Sequence, residues 1–213
     1  KTPYGLLYHN NKVYFTGAYR SNDTSLYELD TTTAICQRLE YFGNRMQVYG
    51  RLLVSNDILI FPHNNGGWYN RIYLRDTNSS SEMICNASGE LLNSMRYGYG
   101  SMRMPAAIDA SGNLVIKSYE GGKVTFRRFA LSGSTACPSN TANATYSFNY
   151  DYDLRYSNIE AHPTNDNIFY STNYNSHKLI KTTFTSTTTL TKSTVGRRGS
   201  VSASYAPTSA SQV

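Results

Sequence analysis

The apolar positions of this chain come in short runs, each set off by turn residues. NNKVYFTG (10–17), SNDILIFP (55–62), SGNLVIKS (111–118) and TNDNIFYS (164–171) each carry a turn into an apolar strand. A second strand follows: SLYELD (25–30), RIYLRD (71–76), KVTFRRF (123–129) and HKLIKTTF (177–184). A third set comes next: TAICQRL (33–39), SEMICNA (81–87), STACPSN (134–140) and the degraded TTTLTKS (187–193). Ahead of each unit stands one more short strand: YGLLYH (4–9), YGRLLVS (49–55), MPAAID (104–109) and SNIEAH (157–162). Each unit therefore reads strand, turn, strand, loop, strand, turn, strand, and it recurs about every 45–55 residues. No stretch shows helical periodicity, so residues 86–103 and 138–156 are read as crossings between units.

Four-stranded units at this period predict an all-β chain, a β-propeller of four recognisable blades. The blades fall at about 4–48, 49–103, 104–156 and 157–193, within a propeller region of 1–193. In the fourth unit the motifs His162-Pro163-Thr164-Asn165, Ile168-Phe169-Tyr170-Ser171-Thr172 and Lys178-Leu179-Ile180-Lys181 stand in order. This pattern resembles blades of the NHL and YWTD type, although the YWTD tetrapeptide itself is absent. The third unit matches more loosely, and the first two match in pattern alone. The resemblance implies fold and no specific activity. Blades of this type more often number six to eight. The four therefore close alone, belong to a larger propeller, or are completed by other copies of the chain. Residues 194–213, rich in Ser, Thr and Ala, form either a tail or a closing strand anchored by Tyr205.

Composition shifts the picture toward the outside of the cell. Tyrosine dominates the aromatics, with 19 copies against one Trp and eight Phe, and charged residues are 16%. The net charge is +6, but no basic run is interleaved with stacking aromatics, so no nucleic-acid partner is expected. No apolar run is long enough for a membrane span. The chain opens Lys-Thr-Pro without Met or signal peptide and is read as a mature or excised segment. Cys36, Cys85 and Cys137 are read at the same place, the fourth, outer strand, of three successive units. Equivalent strands of a radial array lie too far apart to bridge, so these thiols are expected to be free and partly buried, packing as small apolar residues, with an interchain bond as the alternative. Four N-x-[ST] sequons, at Asn22, Asn78, Asn86 and Asn143, fall in predicted loops and suit N-glycosylation.

The hairpins between the middle strands each carry an aromatic: Tyr19, Trp68 with Tyr69, Tyr119 and Tyr174. Such rings either pack on their own blades or line one rim and stack on a ligand. Trp68 stands out, because Gly66 and Gly67 leave it room and Asn64, Asn65 and Asn70 offer hydrogen bonds. Hydrolase signatures such as G-x-S-x-G, H-E-x-x-H and the P-loop are missing. No catalytic residue, metal site or cofactor is expected. The leading expectation is a secreted, non-enzymatic recognition module that binds protein or carbohydrate through rim loops. The alternative is a structural subunit of an extracellular filament, coat or appendage, built by self-association. Third comes a lactonase-like, metal-dependent hydrolase using Glu160, Asp109 and Asp166.

Overall fold

The computed structural model describes residues 3–18, 24–42, 51–64, 69–79, 81–97, 105–131, 137–149, 154, 157–173, 178–184, 189–197 and 208–211. The chain divides into two compact units. One runs to Ser88 and takes in Cys137; the other holds Gly89–Leu131 and the chain from Pro138 onward.

The first unit carries two antiparallel sheets in meander order. Blade one is β1 (Pro3–His9), β2 (Lys12–Ala18), β3 (Thr24–Asp30) and β4 (Cys36–Tyr41). Blade two is β5 (Leu53–Ser55), β6 (Ile58–Asn64), β7 (Tyr69–Asp76) and β8 (Glu82–Asn86). Their first hairpins turn on Asn10-Asn11 and Asn56-Asp57, all at positive φ. Both central residues of a type I′ turn need that conformation, and Asn and Asp tolerate it best among residues with a side chain. Alternation then sorts the faces. Tyr14 and Leu26 of blade one meet Leu52, Leu59, Phe61 and Tyr73 of blade two in a single buried cluster. Phe42 adds rings against Phe61 and Tyr73, with centroids 5.4 Å apart in each pair.

The second unit opens with a helix, α1 (Gly89–Tyr97). Blade three follows as β9 (Ala106–Ile108), β10 (Leu114–Glu120), β11 (Lys123–Phe129) and β12 (Ala144–Asn149). Blade four is β13 (Glu160–His162), β14 (Asn165–Asn173), β15 (Lys178–Phe184) and β16 (Thr189–Arg197), with a fifth strand, β17 (Thr208–Ser211), beside β16. Val115, Val124, Phe126 and Tyr146 of blade three pack with Phe169, Ile180 and Phe184 of blade four. The Tyr146 and Phe184 rings stack at 4.0 Å. Gly121 and Gly122, at φ 54° and 76°, make the two-residue turn between β10 and β11.

The fold is thus all-β, with four four-stranded propeller blades. Three sequence expectations change. Residues 89–97 are helical, not an extended crossing. Leu91 and Met95, one turn apart, are buried, and Glu90 and Arg96 suit the two ends of the helix dipole. Nine residues with so few apolar positions give too short a period to stand out. Next, the outer strand of blade three is Ala144–Asn149 and not 134–140. After β11 the chain pairs Leu131 with Pro138 before returning to the blade. The third change follows from that detour. Cys137 lies off the sheet and is bonded to Cys85 of β8, their Cα atoms 5.5 Å apart. The argument from distant outer strands fails because Cys137 is not on an outer strand. Cys36 alone is a free thiol, and it is exposed.

Candidate functional site

Among the described residues, blade one carries an open apolar surface. Paired residues of antiparallel strands share a face, so Leu6 with Phe15, Tyr8 with Val13, Phe15 with Tyr27, and Leu29 with Cys36 all stand on one side. That side holds a cavity of about 450 Å³, walled by Leu6, Val13, Phe15, Tyr27, Leu29 and Cys36 and floored by Gly17. Phe15 and Tyr27 stack at 5.2 Å. A Cβ on Gly17 would meet the Tyr27 ring at 3.5 Å, so a larger residue there would fill the floor. Leu6 is 69% exposed and Tyr8 60%. A single exposed Leu is ordinary; several around a concave apolar wall mark a docking surface.

The turns are held by carboxylates. In the first unit His9 Nε2 lies 2.7 Å from Asp57 Oδ1, and Asn10 and Asn78 donate to the same carboxylate at 3.0 and 3.2 Å. The first hairpin of one blade is thereby tied to the first hairpin of the next. The second unit repeats the device with different chemistry. Asp166 accepts the Ser111 backbone N–H at 2.7 Å and its hydroxyl as well. Asp30 and Asp76 each accept two backbone N–H groups of the following turn, from Thr32 and Thr33 and from Asn78 and Ser79. These bonds favour the charged form, so Asp30, Asp57 and Asp76 are held below the usual carboxylate range. For Asp57 the first cause is His9; for Asp30 and Asp76 it is the backbone N–H of Thr33 and Ser79.

Asp109 and Asp166 occur in one network, but as structural acceptors. Asp109 is buried, lies 2.7 Å from Arg128 Nε, and accepts the Ser111 and Asn113 backbone N–H groups at 3.1 and 2.8 Å. Arg128 Nη2 donates to the Asp166 carbonyl at 2.6 Å. Glu160 is exposed on β13. Among the described residues no group of three or more His, Cys, Asp or Glu is placed to hold a metal ion.

One buried cation escaped the sequence reading. Lys117, 2% exposed in mid-strand β10, donates to the carbonyls of Leu154 and Ser157 and, at 2.8 Å, to Ser157 Oγ. A Ser beside a Lys suggests nucleophile and base. Here Ser157 is fully buried and the ammonium donates to carbonyls, so the pair fastens the segment ahead of blade four. Its one sequence signal was a Lys at an inward position of the strand LVIKSYE.

Of the rim aromatics, Tyr19, Trp68 and Tyr174 lie outside the described residues. Tyr69 begins β7 opposite Asn64. Tyr119 is half-buried and packs against the cluster between blades three and four. Among the sequons, Asn22 lies outside the described residues, and Asn78, Asn86 and Asn143 are exposed.

The fold defines a β-propeller-type protein, and one solved structure aligns with it at a TM-score above 0.5. Hsv2 from Kluyveromyces lactis aligns with a TM-score of 0.51 at 9% identity, over 84% of this chain and 56% of that one. Virginiamycin B lyase from Staphylococcus aureus, in a catalytically inactive form with quinupristin, gives a TM-score of 0.49 at 15% identity, over 89% and 54%. A nidogen/laminin complex gives 0.44 at 10% identity, over 85% and 75%. The chain spans about half the length of the first two, 56% and 54%. No protein-family model and no curated protein matches the sequence.

Proposed function

We propose that this protein is a non-enzymatic recognition module that works outside the cell and binds another protein through the open face of its first blade. The observation that carries this reading is the 450 Å³ apolar cavity with Leu6 exposed at its edge. Its wall is carbon and aromatic, the composition of a protein-interface core. A sugar needs converging polar groups as well, and this wall supplies few. The Cys85–Cys137 bond supports an oxidising compartment. The exposed Asn86 and Asn143 suit glycosylation there, and digestion with an N-glycosidase would shift the mass of native material at those sites.

Cys36 supplies the test, because it is the free thiol and lines the cavity. A photoactivated crosslinker attached there is exposed to the fluid from which the native protein is isolated. The expected product is a covalent adduct with a polypeptide, identified by mass spectrometry and absent from Leu6→Glu. Adducts with solvent alone, or equal adducts in Leu6→Glu, would reject the site. Glycan-array binding that is lost in Trp68→Ala and kept in Leu6→Glu would move the site to the rim.

A further inference from the structure

Internal repetition identifies what the first blade's open face is shaped to receive. Val13 and Phe15 stand two and four residues after the Asn10-Asn11 turn, as Leu59 and Phe61 stand after Asn56-Asp57. Leu6 stands four residues before its turn, as Leu52 does before its own. Tyr27 pairs with Phe15, as Tyr73 pairs with Phe61. Leu6, Val13, Phe15 and Tyr27 are therefore the position-for-position equivalents of Leu52, Leu59, Phe61 and Tyr73. In blade two those four are at most 1% exposed, covered by the Tyr14 and Leu26 side of blade one. Of the same set on blade one, Leu6 is 69% exposed and Val13, Phe15 and Tyr27 are half-buried around the cavity. Its natural cover is the side of a blade, not a helix, a strand or a small molecule.

The second unit shows which side of blade four remains to give. Phe169, Ile180 and Phe184 are spent on blade three. The opposite side carries Ile168, Tyr170, Leu179 and Lys181, with Tyr170 paired to Lys181. Ile168 and Tyr170 are only half-buried, and Leu179 is 38% exposed. Among the described residues, an exposed or half-buried blade side thus stands at each end of the repeat array.

Resting on the recognition reading above, we infer that the partner is a second copy of this chain. The outward side of its fourth blade seats on the Leu6–Phe15–Tyr27 face of the first. Such a contact joins unlike surfaces and is heterologous, so copies add head to tail into a ring or a filament.

The test uses the purified full chain alone. Light-scattering mass and the labelling rate of Cys36 by a maleimide dye are followed together across protein concentration. The expected result is mass rising in whole-chain steps while labelling slows by about tenfold or more as the thiol loses access. Leu6→Glu and Leu179→Glu each change an exposed side chain and should keep their fold by circular dichroism. Each alone stays at one-chain mass, because each lacks one of the two surfaces. Mixed, they yield a two-chain species and nothing larger, since only one competent pair of surfaces remains. A dimer that persists in Leu179→Glu would replace this contact with a like-to-like one and overturn the inference. One-chain mass with fast labelling at every concentration also overturns it, and leaves the recognition reading to the crosslinking experiment. One-chain mass with slow labelling means that the chain covers its own face, and both readings fall.

Discussion

Lys117 shows how much one residue can hold. Its ammonium ties the carbonyls of Leu154 and Ser157 to the middle of β10 from a position 2% exposed to solvent. Lys117→Met keeps the stem and removes the donors. The expected cost is about 1.5–3 kcal/mol per lost bond to the charged group, read from the denaturant midpoint. Lys117→Arg should recover little, since a planar fork cannot reproduce a compact three-donor head. The turn aspartates act through charge instead. Asp30, Asp57 and Asp76 have folded pKa values below their unfolded ones, so their contribution is complete above the unfolded value. It drains away as pH falls through the folded value. Stability should therefore be indifferent to these groups near neutrality and decline below about pH 4. Asp76→Asn still accepts from the turn but no longer titrates, so its acid slope should be shallower in unfolding curves taken at successive pH values.

At the level of elements, strands were legible and the detour was not. Alternation fixed the faces of β2 and β14, where one face is buried and a one-residue slip would expose it; β6 and β10 are buried on both faces and read as continuous apolar runs instead. The sequence placed the third outer strand at 134–140 because it resembled SEMICNA, but a cysteine in a short polar run does not carry period-two alternation. β12, with Tyr146 inward, does. The disulfide fastens the detour to β8 across a sequence separation of 52 residues. Cys137→Ser should lower stability by about 2–4 kcal/mol, and reductant should reproduce that loss in the parent protein but not in the variant. The helix is a second such element. Leu91 and Met95 fill a buried place, and Arg127 reaches Ser94 at 3.2 Å. Leu91→Ala should cost about 2–5 kcal/mol by thermal or denaturant unfolding.

For the whole molecule, the decisive quantity is the balance of blade sides. Each unit contains one blade side completed by a neighbour, and the first and fourth blades each carry a side that is open or half-open. On the inferred contact between copies, a charge placed within the open side should abolish association without unfolding the blade. Leu6→Glu is expected to do so, with an unchanged melting temperature at dilution and a one-chain mass at every concentration.

The sequence by itself determined the number of blades, their meander order and their hairpin turns. Those rest on local alternation and on Asn, Asp and Gly at positive φ, which are written in consecutive residues. Tertiary structure alone decided which side of each blade is covered, that Cys85 finds Cys137, that Asp57 and Asp166 bind the preceding turns, and that Lys117 turns inward to carbonyls 37 and 40 residues away. Those are distances between residues far apart along the chain. Repetition concealed them further, because equivalent positions such as Phe15 and Phe61 look alike in sequence and differ only in what lies across from them.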